Sequence, residues 1–331
     1  MILKNRKEPP DIFQLQSLVK RIPVTHSQFP HWTEQLRRIT AGFHGEQRVD
    51  SLWHEIELPS PYFFIHDLFI QQPNSSFQMD TVLVTSRFIL ILEIKSISGL
   101  LNFDPQTRQF SRTNKDGSID GMRNPDDQLR RHEKWMKRFL ADRQFELPVL
   151  GAIVFTYPSS VIQSKAGKRI IIQSSGLPYL MEQLLSNHPY ELLSDSATST
   201  LSQNLLNLHS AKELVLPTLP DAVLTGVLCP HCVAQRLAYV RKSWRCNVCS
   251  YKNAKSHLDA LAEYRHLVSR TITNREFRHF MHLPSITTAS KLLKSSKMRS
   301  TGSYKDRVYF IPEQIALLES ISPGTDSIRK T

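Results

Sequence analysis

The stretch FQMDTVLVTSRFILILEIKSISGLLNF, residues 77–103, decides the fold of the N-terminal part of the chain. It contains two apolar runs, Met79–Val84 and Phe88–Lys95, and both are rich in valine, isoleucine and leucine. The short connection Thr85–Arg87 separates them. Two such runs around a short connection predict a β-hairpin that is buried on at least one face.

Charged residues interrupt this hairpin at Asp80, Glu93 and Lys95. Glu93 and Lys95 are two positions apart and therefore project from the same face of a sheet. If the hairpin turns about Ser86 and Arg87, residues whose numbers sum to 173 face each other, which places Asp80 opposite Glu93. Burying unpaired carboxylates is costly, so the cluster needs a compensating cation.

A divalent cation between Asp80 and Glu93 would satisfy this need, because Mg²⁺ is typically held by one or two carboxylates together with water and phosphate oxygens. Such an ion promotes attack of water on a phosphodiester, and Lys95 would orient the water or stabilise the transition state. The alternative is a buried Asp–Lys–Glu network with a structural role only.

The surrounding sequence supplies further elements of an α/β domain. A helix is predicted to begin near Gly45, because Val49, Leu52, Trp53 and Ile56 recur at helical spacing. Residues 62–70 and 148–157 read as buried strands, and residues 120–141 contain a polar helix with one apolar side.

The spacing Asp80…Glu93-Ile94-Lys95 resembles the D…(D/E)-x-K signature of the PD-(D/E)xK phosphodiesterase superfamily. More narrowly, residues 41–156 resemble the nuclease-related domain, NERD. The segments that carry this resemblance are Gly45-Glu46, His66-Asp67-Leu68, Phe77-Gln78-Met79-Asp80, Glu93-Ile94-Lys95, Gly99, Asn124-Pro125 and Gln128.

This resemblance implies a restriction-endonuclease-like mixed sheet flanked by helices, with a site for Mg²⁺ or Mn²⁺ at the hairpin. By the same resemblance, Asp80 and Glu93 are metal ligands and Lys95 is the catalytic lysine. Glu46 resembles the helix carboxylate that completes such sites, or else is a charge favoured by a helix N-terminus. Gln128 resembles a helix glutamine that contacts the site, or else is a solvated surface residue.

All four cysteines lie in one stretch with the spacing C-x2-C-x13-C-x2-C, as Cys229, Cys232, Cys246 and Cys249. Two such pairs at the ends of a hairpin complete a tetrahedral four-sulfur site, which predicts a zinc ribbon. A zinc ion with four protein ligands has no open position, so its predicted role is structural.

The basic residues are concentrated after the ribbon begins. Residues 229–331 carry a net charge of +11, whereas residues 1–228 carry +1. Beyond the ribbon, a helix near 256–271, a capping box from Thr273 to Glu276, a short helix from Ser285 and a hairpin around Gly302 follow in order. This order predicts a small, α-rich, winged-helix-like module.

Basic residues interleaved with Tyr239 and Trp244 suit phosphate contacts and base stacking. The alternative for Trp244 is that it packs the small core of the ribbon. A protein-interaction module is the alternative. The predicted nucleic-acid contacts lie on the ribbon and on the second helix of the helix-turn-helix: Arg241, Lys242, Arg245, Thr287, Thr288, Lys291, Lys294, Lys297 and Arg299.

The sequence thus predicts five segments. They are an N-terminal helical extension (1–40), the NERD-like domain (41–186), a linker (187–228), the zinc ribbon (229–252) and the helix-turn-helix-like module (256–315). The charged N-terminus and the absence of a long apolar run predict a cytoplasmic protein with no membrane partner.

The leading hypothesis is an Mg²⁺-dependent nuclease acting on DNA, with the ribbon and the helix-turn-helix as binding modules. A catalytically inactive DNA-binding adaptor and an RNA-processing nuclease are the alternatives.

Overall fold

The computed structural model describes residues 1–164, 169–313 and 315. The helices are α1 (Pro10–Arg21), α2 (Phe29–Leu52), α3 (Pro125–Ala141), α4 (Leu177–Asn187), α5 (Asp195–Leu206), α6 (His257–Leu267), α7 (Asn274–Met281) and α8 (Ile286–Ser295). The strands are β1 (Ile2–Lys4), β2 (Tyr62–Gln72), β3 (Ser75–Thr85), β4 (Ile89–Lys95), β5 (Gly99–Phe103), β6 (Phe110–Thr113), β7 (Ile119–Met122), β8 (Val149–Phe155), β9 (Ser160–Ser164), β10 (Ile170–Gln173), β11 (Ala238–Val240), β12 (Ser243–Arg245), β13 (Lys252–Asn253), β14 (Thr271–Thr273), β15 (Ser300–Thr301) and β16 (Val308–Phe310).

The chain divides into two compact units. Unit 1 comprises Met1–Glu8 and Thr40–Glu213, and unit 2 comprises Pro9–Ile39 and Leu214–Thr331. The predicted N-terminal extension is therefore shared: β1 belongs to unit 1, and α1 belongs to unit 2. Within the described residues, no helix combines the length and the apolar character that crossing a bilayer requires.

Unit 1 is built on a six-stranded sheet in the order β1-β2-β3-β4-β8-β10. The pairs β2–β3 and β3–β4 are antiparallel, while β1–β2, β4–β8 and β8–β10 are parallel. A second sheet has the order β7-β6-β5-β9. The predicted mixed sheet flanked by helices is confirmed.

The predicted hairpin register is also confirmed. Thr81 pairs with Leu92 and Val84 with Ile89, so the numbers of facing residues sum to 173. Alternation along β4 sends Ile89 and Ile91 into a core beneath α3 and α5, and sends Leu90 and Leu92 into a second core beneath α2 and α4. Glu93, two residues after Ile91, therefore lies on the α3 side.

Alternation breaks in the two neighbouring strands. Ile65 and Leu68 on β2 are three positions apart yet belong to the same core, and so do Met79 and Val82 on β3. Asp67 has a left-handed backbone, with φ of 50°, which accounts for the change of face in β2. Irregular strand segments of this kind re-aim side chains and are frequent beside functional sites.

Two elements differ from the sequence-based expectation. The helix expected near Gly45 begins at Phe29, so α2 also includes part of the predicted N-terminal helical extension (1–40). Residues 187–228, predicted as a linker, contain α5, whose Leu201 and Leu205 are fully buried in the unit 1 core. The serine- and threonine-rich sequence of α5 gives only a weak helical signal.

Unit 2 combines a three-stranded ribbon, β11-β12-β13, with helices α6, α7 and α8 and a sheet in the order β14-β16-β15. This order of helices and strands is that of a winged helix-turn-helix. The capping box of Thr273 and Glu276 is present, and Ser285 caps α8 as expected. Inside the unit, the buried Arg21 donates a 2.7 Å hydrogen bond from Nε to Glu263.

Gly45 allows α2 to lie close to the ends of two strands. A Cβ at this position would lie 1.8 Å from Ser96 Oγ and 2.8 Å from Thr156 Oγ1. By contrast, a Cβ at Gly42, one turn earlier on the same helix, meets nothing within 4 Å. The glycine at 45 is therefore required by packing, whereas the one at 42 is not.

We expect opposite effects from alanine at these two glycines. Gly42→Ala should raise the free energy of unfolding of unit 1 by up to about 1 kcal/mol through helix propensity. Gly45→Ala should lower it by about 1–3 kcal/mol through overpacking. Native-state hydrogen exchange of the β3 and β4 amides measures this unit separately. Equal effects of the two substitutions would contradict the close approach at Gly45.

Candidate functional site

Asp80, Glu93 and Lys95 meet where the β3–β4 hairpin opens. The last antiparallel pair is Thr81–Leu92, so Asp80 and Glu93 stand just beyond it. The backbone N–H of Ile94 donates a 2.8 Å hydrogen bond to Asp80 Oδ2, in place of a bond to a backbone oxygen of β3. The side chain thereby fixes Asp80 next to the strand that carries Glu93 and Lys95.

Glu93 is fully buried and incompletely satisfied. Its Oε1 is paired with Lys95 Nζ at 2.5 Å, but in the described part of the chain its Oε2 has no hydrogen-bond partner. Burial, followed by the negative charge of Asp80, raises the pKa of Glu93 to about 8. The site therefore contains two buried carboxyl groups and only one lysine, so its acidic groups outnumber its basic ones.

His132, on α3, does not supply that charge. Its Nδ1 lies 3.7 Å from Glu93 Oε2. Burial lowers the pKa of His132 to about 4, and the charges of Arg131 and Lys95 act in the same direction. The imidazole is therefore neutral at physiological pH, and Glu93 retains a need for a cation.

Lys95 is held in its charged form. Burial lowers its pKa, but attraction to Glu93 and Asp80 outweighs that effect, and the net pKa is raised. Lys95 Nζ also lies 3.4 Å from the side-chain oxygen of Gln128. Asn124 caps α3 by accepting a hydrogen bond from Asp126 N, which sets the helix start one turn before Gln128. The Asn124-Pro125…Gln128 motif thus serves to bring Gln128 to the site.

Glu46 also belongs to this cluster. Burial and then the charge of Asp80 raise the pKa of Glu46 to about 8, although Arg6 opposes the shift. The interpretation of Glu46 as a charge at a helix N-terminus is wrong, because α2 begins at Phe29, more than four turns earlier. Because α2 packs closely on the strand ends at Gly45, the neighbouring Glu46 lies near the sheet.

Arg6 is a site residue that the sequence did not reveal. Its side chain is only 4% exposed, and its guanidinium lies 2.7 Å from Glu46 Oε2 and 2.5 Å from Asp67 Oδ1. It also donates to Asp50 at 2.7 Å and to the main-chain oxygen of Asp80 at 2.9 Å. Burial alone would lower the pKa of Arg6, but interactions with Asp50, Asp67 and Glu46 outweigh that effect. The net pKa of Arg6 is therefore raised. Nothing in the local sequence distinguishes Arg6 from Lys4 or Lys7, so no signal could have found it.

The histidine and aspartate that precede Leu68 have structural partners. His66 Nδ1 lies 3.3 Å from Asp50 Oδ1 and 3.2 Å from Thr81 Oγ1. Burial lowers the pKa of His66 to about 4. Gln78 donates a 3.2 Å hydrogen bond to Asp67, so it supports the carboxylates that surround Arg6.

The four cysteines form the second candidate site. Their ligand atoms all lie within 4.8 Å of one another, and all four are free thiols. The backbone N–H groups of Val248 and Cys249 point to Cys246 Sγ at 3.4 Å. Such a cluster fits a tetrahedral zinc ion. Among the described residues, Asp80, Glu93 and Glu46 do not form a comparably tight group.

The residues predicted to contact nucleic acid lie on two surfaces of unit 2. On α8, Ala289, Leu292 and Leu293 are buried, while Lys291 and Lys294 are exposed. Lys297 lies two residues beyond the end of the helix and is exposed as well. Thr287 and Arg299 are exposed as well, and Thr288 is half-buried.

On the ribbon, Arg241 and Lys242 form the two-residue tip of the β11–β12 hairpin, both with positive φ. Arg245 is half-buried. Trp244 is only 1% exposed and donates from Nε1 to His257 at 3.3 Å. Of the two interpretations of Trp244, the structure supports packing and contradicts base stacking, because the indole is part of the unit 2 core.

We expect one tightly bound zinc ion per chain. Cys246→Ser should reduce the zinc content to near zero, because it removes one of four thiolate ligands. His231→Ala is the matched control, since His231 lies between Cys229 and Cys232 in sequence but outside the cluster, and it packs on Tyr251. Metal analysis of the purified proteins measures both. Zinc retained in Cys246→Ser, or lost in His231→Ala, would contradict the four-cysteine assignment.

No curated protein and no solved structure matches the chain. The region that contains the opened hairpin, the buried carboxylates and the first helix of unit 1 has a match among protein families. Residues 41–156 match the family model of NERD, the nuclease-related domain.

Proposed function

We propose that this protein is a metal-dependent nuclease that hydrolyses phosphodiester bonds in DNA. The observation that carries this proposal is the buried carboxylate of Glu93, which stands beside Asp80 and Lys95 without a full set of hydrogen bonds. The match of residues 41–156 to a nuclease-related domain supports it. A purely structural network would satisfy both oxygens of such a buried group.

The donor set fits a hard divalent cation. Asp80 and Glu93 would hold Mg²⁺ or Mn²⁺, since these ions take carboxylate oxygens and keep several water ligands. When bound, the ion supplies positive charge near the scissile phosphate and lowers the pKa of water. Glu46 adds a third carboxylate on the side held by Arg6.

Lys95 acts as a charged donor in this mechanism. Because its pKa is raised, it keeps its proton and stabilises negative charge that develops on the phosphate oxygens. Gln128 holds the ammonium from one side and Glu93 from the other. Lys95 is therefore suited to positioning water and phosphate, and not to removing a proton from the attacking water.

Unit 2 supplies binding in this proposal. The outward-facing lysines of α8 and the Arg241-Lys242 tip offer positive charge that is suited to phosphates. In a winged helix-turn-helix that binds DNA, the second helix enters the major groove, and α8 would take that role here. These features favour DNA, and they also favour the second candidate function, a catalytically inactive DNA-binding adaptor.

Glu93→Gln and Lys95→Met should each lower Mg²⁺-dependent cleavage of DNA by at least about 100-fold, because even partners outside the ligand set cost 10- to 100-fold. Both should leave DNA affinity within about twofold, since unit 2 provides most of the contacts. Glu146→Gln, which changes an exposed carboxylate of unit 1, is the matched control.

Cleavage of DNA and RNA, single- and double-stranded, with Mg²⁺ or Mn²⁺ decides among the candidates. Full activity in Glu93→Gln would show that the site is misassigned. Wild-type protein that binds DNA tightly and cuts none of these substrates would be the inactive adaptor. Cleavage of RNA alone would replace DNA as the substrate.

The lysines on α8 and just after it give a separate prediction. The triple variant Lys291→Gln/Lys294→Gln/Lys297→Gln should bind DNA more weakly, and its log–log dependence of affinity on salt should be shallower by about 3, at about 0.9 per lost phosphate contact. Replacement of the same lysines by arginine should preserve the slope. Fluorescence anisotropy with a labelled duplex over a salt series measures both. An unchanged slope in the glutamine variant would remove α8 from the binding surface.

A further inference from the structure

The outer side of α3 in unit 1 carries a concentrated positive charge. We define the α3 basic face by its exposed cations: Arg130, Arg131, Lys134, Lys137 and Arg138. At 100° per residue these five side chains fall within about 120° of the helix circumference. Residues 1–228 have a net charge of only +1, so this face is a local concentration of charge.

The acidic residues of α3 compensate this face only at Arg130, which pairs with Asp126, because cations from other elements also hold them. Asp126 is fully buried and accepts from Arg108 at 2.9 Å and from Arg169 at 2.5 Å. Arg108 also binds Asp127. Glu133 lies 2.6 Å from Arg169. The carboxylates of α3 thus lie on its inner side or in its first turn, where they bind Arg108 and Arg169.

The cations of the α3 basic face are mostly uncompensated. Arg130 pairs with Asp126 at 2.9 Å but remains 58% exposed, and Arg138 lies 3.9 Å from Asp142. Within the part of the chain that the structure describes, no acidic group forms an ion pair with Arg131, Lys134 or Lys137. An exposed, unpaired stripe of charge on a rigid helix attracts a polyanion.

The same helix is fixed to the candidate active site. Gln128 contacts Lys95 at 3.4 Å, and His132 lies 3.7 Å from Glu93. On its inner side α3 is pressed onto β8, since a Cβ at Gly151 would lie 2.3 Å from Glu133 Oε1 and 3.0 Å from Leu129 Cδ1. Arg131 follows Gln128 by one helical turn and precedes His132, and its positive charge helps to lower the pKa of His132, so the α3 basic face begins beside the residues that approach the site.

We propose that the α3 basic face binds the phosphate backbone of the nucleic acid whose scissile bond lies at Asp80, Glu93 and Lys95. The inference rests on the proposed function, and it adds a track for the substrate within unit 1 itself. From Arg131 to Arg138 the helix rises about 10 Å. That length corresponds to about three nucleotides along one strand of a duplex. The track guides the strand past the site independently of the contacts made by unit 2.

The experiment compares two variants of the full chain in zinc-replete buffer without Mg²⁺, where no cleavage can occur. The triple variant Arg131→Gln/Lys134→Gln/Arg138→Gln removes three charges and keeps helix propensity. The control Arg131→Lys/Arg138→Lys retains the charge. With a fluorescent DNA duplex, the log–log salt slope of the triple variant should be shallower by about 3, with affinity at least tenfold weaker at low salt. The control should stay within about twofold of wild type.

A second readout separates this proposal from the proposed function. With Mg²⁺, the triple variant should cleave DNA more slowly than wild type at limiting substrate, while hydrolysis of the small diester bis(p-nitrophenyl) phosphate, which is too short to reach the track, stays unchanged. Wild-type protein that hydrolyses neither substrate would defeat the proposed function, and the binding comparison would still test whether α3 holds DNA.

Two results would overturn the proposal. The first is an unchanged salt slope and affinity in the triple variant, as long as circular dichroism shows it folded. The second is unchanged DNA binding together with lost binding to poly-glutamate, which would make the α3 basic face a surface for an acidic protein segment.

Discussion

The hydrogen bond from Ile94 N–H to the Asp80 carboxylate determines how the site of unit 1 is built. It stands where the next rung of the β3–β4 ladder would be, so it satisfies a buried backbone donor while the two strands separate. Without it, Ile94 N–H would remain unpaired in the core, and Asp80 would lose its position beside Glu93. The same contact therefore replaces a backbone hydrogen bond at the end of the β3–β4 ladder and leaves room for the carboxylates of Asp80 and Glu93 to face each other.

Around Asp80, the largely buried carboxylates of the site are partly compensated by two cations. Arg6 compensates the carboxylates on the β2 side, and Lys95 compensates Glu93 on the β4 side. Burial and the charge of Asp80 raise the pKa values of Glu46 and Glu93 in spite of these two cations. A bound divalent ion would complete the balance, which is why the electrostatics of this cluster favour a functional interpretation over a structural one.

Much of this arrangement could be predicted from the sequence, because it depends on local spacing. The hairpin register follows from two apolar runs and a short turn, and the zinc cluster follows from cysteine spacing. The capping box at Thr273 and the helix start at Ser285 follow from residue type alone.

Long-range features could not be predicted in this way. Arg6 reaches Asp80 across 74 residues, and such a contact leaves no periodic signal. The burial of α5 depends on a sheet face that forms elsewhere, and its polar composition conceals it. Trp244 reads as a possible stacking residue until its partner His257, 13 residues away, is known. In each case tertiary packing, and not local propensity, decides the outcome.

The part played by Arg6 has a consequence for how this domain can be isolated. A fragment limited to residues 41–156 would leave Glu46, Asp50 and Asp67 without their shared cation. It would also lack β1, β10 and α5, exposing both edges of the central sheet and part of its core. The compact unit that contains the site is thus discontinuous in sequence, and residues 1–8 together with 40–213 retain contacts that residues 41–156 alone would lose.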